Sequence, residues 1–464
     1  MHVCSLRVSL VLVSPLRHIL SLHLYFSPCL ALVLASGIKP PPLTIRRAQL
    51  SLISEIAPPL FVNCLQWCSL LIQTHRRTNV LSLCPDAPDS DFAPVFRVQA
   101  TFIKGGVLES IYLHHSVGDA GSLGLLMCRP LSGFQGEDLA TQVKEESRRR
   151  EVLLDSKGAE LDLCKHSQWR NVIKSLIQGK HFRGISASGE TVRSSKRSGI
   201  QDCAPQPHAC PKKLEESHNW RSVIFSFTDA RLKGLKEKMS EILPKEKHSG
   251  SFENAPYLST EDCLKALLWM RITHARAHLL PDLHNHENIS MLGPVTIRGR
   301  MVAEDSFGNA CSLNTTALPF NALEKPLSDL PALCRVASAI RRAILEVDDE
   351  HVRSAIAVVN EVDDVRMTNL SELDLRRDVV GTSLKDLPVG EADLGMGLGA
   401  PMWVRKPSTV KQGPGLIILP RRLGNGMWEV SVQLDGREME RLLGDEGFMA
   451  TRLLDICFRL CSPT

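Results

Sequence analysis

The chain carries 14 cysteines but no Cys-x-x-Cys pair. Cys64/Cys68 and Cys457/Cys461 are each spaced Cys-x-x-x-Cys, which argues against a zinc ribbon or a thioredoxin-like redox site. Buried free thiols in a reducing compartment are the simplest account of the cysteines. Net charge is scarce too. A formal +4 over 464 residues gives no electrostatic case for nucleic acid, although an anionic small molecule stays open as a ligand. Long apolar runs are also missing. Leu24 to Ala35 is short for a membrane span and contains Ser27 and Pro28. Arg7, Arg17, His18 and His23 break the stretch before it, unlike the layout of a secretory signal. A cytoplasmic protein with no stable membrane partner is expected, with targeting through Leu24–Ala35 as the alternative.

What is present fits a globular protein, with 43% hydrophobic and 23% charged residues. The length predicts two domains. In residues 1–90, Pro40-Pro41-Pro42 and Pro58-Pro59 interrupt any long helix, and no apolar period persists. This part reads as a divergent or poorly delimited N-terminal segment. Residues 91–183 form a first domain. Residues 184–218 form a linker or crossover loop, where Ser, Gly, Lys and Pro dominate. Residues 219–464 form a second domain.

The chemistry centres on Leu113-His114-His115-Ser116-Val117-Gly118-Asp119-Ala120-Gly121. Phe96, Val98, Ala100 and Phe102 alternate with polar residues, Lys104-Gly105-Gly106 marks a turn, and Val107–Leu113 returns as the second arm of a hairpin. The histidines therefore stand where a strand runs out. Gly118 and Gly121 would let the backbone approach a ligand there. Imidazole is the side chain most often used as a general base near neutral pH. A lone His-x-x-x-Asp match is weak, and the rest of the chain gives it weight.

Beyond the linker, Leu139–Leu154 aside as a helical stretch of the first domain, Ser222–Phe227 predicts a strand with Thr228 capping a helix through Leu232, Leu235, Met239 and Ile242. Ser259 and Asp262 resemble a capping box that opens a helix through Ile272, with Trp269 and Arg276 on it. Leu292–Ile297 predicts a strand ending in Arg298-Gly299-Arg300, followed by Phe307-Gly308-Asn309. Helices are expected over Ala332–Leu345 and Val352–Val362. A turn-rich stretch then holds Thr382-Ser383-Leu384 and Asp393-Leu394-Gly395-Met396-Gly397. It lacks the Gly-x-Gly-x-x-Gly spacing and the following helix of a dinucleotide site. A hairpin of Leu416–Leu419 with Glu429–Leu434 and an amphipathic helix close the chain. His278, His284, His286 and Glu287 cluster in sequence but read as a polar loop, so no metal is expected.

In this order, the pieces from Phe96 onward resemble the BAHD-type CoA-dependent acyltransferases of the chloramphenicol acetyltransferase-like superfamily. The nearest likeness is to the fungal branch containing trichothecene 3-O-acetyltransferases. The resemblance implies an α/β fold of two similar domains, each a mixed sheet with flanking helices, and an active-site tunnel between them. It implies His115 as general base and no permanently bound cofactor. Acyl-CoA, with acetyl-CoA favoured, would be the co-substrate, and a small-molecule alcohol such as a terpenoid the acceptor of a monomeric enzyme. Asp119, Arg298, Asp393, Gly395 and Gly397 are then structural supports, with Asp119 turned to Arg298, or alternatively Arg300, rather than to the imidazole. Thr382 and Ser383 are candidate oxyanion or substrate contacts. Three departures stand out. Ala120 replaces a glycine, Leu394 and Met396 replace aromatic residues, and Leu384 replaces a tryptophan whose indole N–H could donate to an oxyanion. The alternative they support is a catalytically weak or inactive relative that binds small molecules.

Overall fold

The computed structural model describes residues 4–10, 29–36, 96–103, 106–115, 117–128, 219–246, 255–279, 288–360, 374, 376–390, 400–401, 403–405, 415–421, 426–450 and 454–459. The expected helical stretch 139–154, the linker 184–218 and the motif residues Asp393, Gly395 and Gly397 lie outside them, as do His284, His286 and Glu287.

The described residues form two sheets. In the first, strands β1 (Cys4–Leu10), β2 (Cys29–Ser36), β3 (Phe96–Ile103), β4 (Gly106–His114) and β9 (Trp403–Arg405) lie in the order β1-β3-β4-β2-β9. All its pairs are antiparallel. The hairpin β3–β4 has the register Phe96↔Leu113, Val98↔Ile111, Ala100↔Glu109. Period-two alternation buries Glu109, Ile111 and Leu113 on one face, so the residue two beyond Leu113, His115, follows that face past the end of the strand. Burial pushes the Glu109 carboxyl up to about 8. The strands Cys4–Leu10 and Cys29–Ser36 come from the segment where sequence periodicity places nothing, and the second takes up most of the apolar stretch Leu24–Ala35.

The second sheet is mixed. It contains β5 (Trp220–Thr228), β6 (Ile289–Thr296), β7 (Cys311–Leu318), β8 (Val379–Ser383), β10 (Gly415–Ile418), β11 (Met427–Asp435) and β12 (Leu454–Arg459), in the order β12-β5-β11-β10-β8-β6-β7. β8 runs parallel to both β6 and β10. Against it pack α2 (Asp229–Glu246), α3 (Thr260–Ala277) and α5 (Leu330–Leu345).

Helix α3 is the spine of this half. Its start is fixed by a reciprocal capping box: Asp262 N–H donates to Ser259 Oγ (3.2 Å) and Ser259 N–H to Asp262 Oδ2 (2.7 Å). Leu264, Leu267, Leu268, Trp269 and Ile272 are all within 1% of complete burial, and each such side chain contributes roughly 1.5–3 kcal/mol. Trp269 is thus a packing residue. Arg276 is fully buried and charge-paired: Nε donates to Glu438 Oε2 (3.2 Å) and Nη1 to the carbonyls of Arg377 and Asp378 (3.0 Å each). It is a strut joining α3, the segment before β8, and α7 (Gly436–Leu443).

Candidate active site

Two chain reversals build the site. One is the β4–α1 junction, where helix α1 (Ala120–Cys128) begins five residues after His115. The other is the loop of residues 297–310 between β6 and β7. Asp119 is the cap of α1: Ser122 N–H donates to its Oδ1 (3.0 Å), while Leu123 N–H donates to its carbonyl in the first helical bond (3.0 Å). The acid followed by three small residues and an apolar run is a helix-start signal that the sequence reading passes over. Ala120 opens this helix, so its backbone carries no left-handed demand and an alanine there is unstrained.

The same carboxylate is met by the second reversal. Arg298 Nη1 donates to Asp119 Oδ2 (2.7 Å) and Nη2 to Oδ1 (2.8 Å), a bidentate pair with both side chains nine-tenths buried. Ala310 N–H donates to Oδ2 (3.0 Å). Each oxygen thus accepts two hydrogen bonds, and none comes from an imidazole. The guanidinium has further partners: Nε donates to the Ser306 carbonyl (3.0 Å), and Nη2 shares its protons among Asp119, Ser122 Oγ (3.1 Å) and the Gly308 carbonyl (2.8 Å). Arg300 points elsewhere, donating to the Val347 carbonyl (2.9 Å).

Ser122, absent from the expected site, sits at the centre of this cluster. Its hydroxyl donates to the Gly308 carbonyl and accepts the Gly308 N–H, both at 2.8 Å. That close backbone approach needs Gly308 at φ 132°, a region that favours glycine. The two glycines flanking Asp119 have a related role. A Cβ on Gly121 would lie 2.7 Å from Arg298 Nη1, and one on Gly118 would lie 2.7 Å from Ser122 Cβ. They make room for the clamp rather than for a ligand.

His115 follows the last ladder residue, His114, which pairs with Cys29. It is half-buried, and its carbonyl accepts a hydrogen bond from Asn309 Nδ2 (2.7 Å). Cys311 lies beside Asp119 and Arg298. Burial, reinforced by Asp119 and opposed by Arg298, pushes its thiol up to about 12.

Thr382 and Ser383 end β8, a strand rather than the expected turn. Leu384 is buried, and its N–H is committed to the Ile418 carbonyl (2.8 Å). Beside Ser383 stands Glu261, with Lys265 Nζ at 2.7 Å and Lys385 Nζ at 3.8 Å. Burial opposes the ionised Glu261, but Lys265, Lys385 and the Ser383 hydroxyl together hold its carboxyl below the usual range. From β8 the chain runs through Leu387 and Pro388 to α1, where a Cβ on Gly124 would sit 3.2 Å from Leu387 Cδ2 and 3.3 Å from Pro388 Cδ. A second bridge joins the sheets: Arg405 on β9 makes a bidentate pair with Glu429 on β11 (2.8 Å each).

An open groove of about 570 Å³, lined by Lys233, Lys236, Glu237, Ser240, Glu241 and Thr260, contains none of these site residues, and its charges are mixed. Among the described residues, no cluster of His, Cys, Asp or Glu side chains could hold a metal ion. No described helix is long and apolar enough to cross a membrane.

Comparison with known proteins places this arrangement. A family model described as the transferase family matches residues 64–448. The O-acetyltransferase ptmV of Penicillium ochrochloron is 26% identical over 387 residues, covering 76% of this chain and 71% of that protein. The trichothecene 3-O-acetyltransferase TRI101 of Fusarium sporotrichioides is 21% identical over 367 residues, covering 79% and 70%. The crystal structure of F. graminearum TRI101 complexed with coenzyme A and T-2 mycotoxin has the same fold, with a TM-score of 0.60 at 15% identity over 92% of this chain and 96% of that one. With the family model spanning most of its length, the chain belongs to this transferase family and is a BAHD-type acyltransferase.

Proposed function

We propose that the protein transfers an acyl group, with acetyl as the donor's cargo, from acyl-CoA to a hydroxyl of a small secondary metabolite of the terpenoid kind, with His115 as general base. The observation that carries the reading is the saturation of Asp119. Its carboxylate is spent on Arg298, Ser122 and Ala310, so it holds the junction and leaves His115 to act on substrate. Family membership supplies the reaction class, and the coenzyme A and T-2 mycotoxin named in the TRI101 complex support the substrate classes.

In this mechanism a neutral imidazole nitrogen takes the proton from the acceptor hydroxyl. The oxygen forms a bond to the thioester carbonyl carbon and a tetrahedral oxyanion results. Collapse breaks the C–S bond, and the imidazolium returns the proton to the departing thiolate. No acyl-enzyme forms, and holding both substrates together supplies the orientation term. Leu384 offers the oxyanion no side-chain donor. The neighbouring hydroxyls of Thr382 and Ser383, at the end of β8, are the candidate oxyanion contacts.

The test is acyl transfer from acetyl-CoA to a panel of hydroxylated terpenoids, following thiol release and acetylated product, with His115→Ala alongside. Product from the parent and only a small residual rate from the variant is expected. Equal turnover by both removes His115 from the chemistry. A parent that neither turns over any acceptor nor binds acetyl-CoA by calorimetry belongs to the inactive relatives.

A further inference from the structure

We propose that Asn309 is a positioning residue for His115, and that Asp119 influences the histidine through the 306–310 loop and this side chain rather than through the imidazole. The inference rests on His115 being the base. The ladder pairing of β4 ends at His114, so the sheet no longer fixes the backbone of the next residue. Asn309 Nδ2 donates to the His115 carbonyl at 2.7 Å and extends that restraint by one residue, from the opposite half of the molecule. The carboxamide is itself aimed by a rigid mount. Its neighbour Gly308 has its N–H on Ser122 Oγ (2.8 Å) and its carbonyl on Ser122 Oγ and Arg298 Nη2 (2.8 Å each). Ala310, on the other side, gives its N–H to Asp119 Oδ2 (3.0 Å). Asn309 is therefore gripped on both flanks by the clamp and delivers its position to His115. The carbonyl on which it acts belongs to the same residue whose Cα–Cβ bond aims the imidazole.

Asn309→Ala and Asn309→Asp separate donation from shape, because aspartate matches asparagine in outline but turns an ionised oxygen toward the carbonyl. The measurements are kcat, the dissociation constant for acetyl-CoA and the melting temperature, with the alanine change repeated in the His115→Ala background. The expected result is a fall in kcat of about 10²-fold for both variants, the scale of an ångström of misplacement. Acetyl-CoA binding and melting temperature should stay at parent values, and His115→Ala should lose nothing further. Parent-like kcat in the aspartate variant overturns the proposal. So does a loss confined to acetyl-CoA binding or to melting temperature, or an equal fold-loss on top of His115→Ala. Full activity of His115→Ala by itself sinks the base assignment instead, and is distinguished by that single variant.

Discussion

One added methyl group separates the clamp from ordinary helix physics. Gly121 and Gly234 both lie in helices, α1 and α2, where glycine to alanine is worth up to about 1 kcal/mol of added stability. At Gly234 a Cβ would meet nothing within 4 Å, so Gly234→Ala should gain roughly 0.5–1 kcal/mol. At Gly121 the same atom would fall 2.7 Å from Arg298 Nη1 and 2.9 Å from Cζ. A free arginine tip would swing away cheaply. This one is pinned to Asp119, Ser122, Ser306 and Gly308, so it can move only by stretching those bonds. Overpacking of that kind costs about 1–3 kcal/mol, and each charge-assisted bond lost adds about 1.5–3 kcal/mol. The net expectation for Gly121→Ala is a loss of about 2–4 kcal/mol, together with reduced acyl transfer because the 306–310 loop moves with the guanidinium. Urea unfolding of the two variants beside the parent reads the sign directly. If Gly121→Ala stabilises as Gly234→Ala does, the clamp is not rigid and the argument built on it fails.

Two further outcomes follow from buried charge. Arg298→Met leaves the Asp119 carboxylate nine-tenths buried without its cation and should cost about 3–5 kcal/mol; adding Asp119→Asn should recover part of this, and strict additivity in a double-mutant cycle would deny the pairing. Glu109, pushed up to about 8 in the fold, keeps a proton that the unfolded chain releases near pH 4.5, so stability declines as pH rises between those values, by about 5 kcal/mol as a ceiling. Glu109→Gln should flatten that slope, which denaturant midpoints at pH 5, 6, 7 and 8 will show; parallel profiles for parent and variant would count against the burial argument.

The sequence made some of this legible and hid the rest for identifiable reasons. The β3–β4 hairpin, the α2 and α3 starts and the closing β10–β11 hairpin carry strong local signals: alternation, a capping box and a turn. Helix α1 is marked by its aspartate cap, yet its residues are too small and too few to show an apolar period. Strand β7 has Ser312, Asn314 and Thr315 among its residues, and β8 is five residues with Gly381 in the middle, so neither has an apolar pattern of its own; pairing to β6 makes them strands. The residues around His115 are legible as a set only through the family resemblance, whose motifs the histidine stretch, Arg298 and the Gly308-Asn309 pair match in order. Ser122 does not stand out. A serine becomes the hub of a cluster only when a loop almost two hundred positions away folds onto it, and no spacing rule contains that contact.

Strand β9 has a consequence for the order in which the protein can be made. Trp403–Arg405 completes the first sheet by pairing with Val33–Ala35 on the outer edge of β2, and Arg405 then reaches across to Glu429. A ribosome releases residues 29–36 long before it releases residue 403. Throughout that interval the nascent first half presents the Val33-Leu34-Ala35 edge of β2 without its β9 partner. Vectorial folding therefore cannot finish the N-terminal sheet early and move on. The first half must wait, and a chain stalled before residue 403 would offer its β2 edge to whatever strand arrives first.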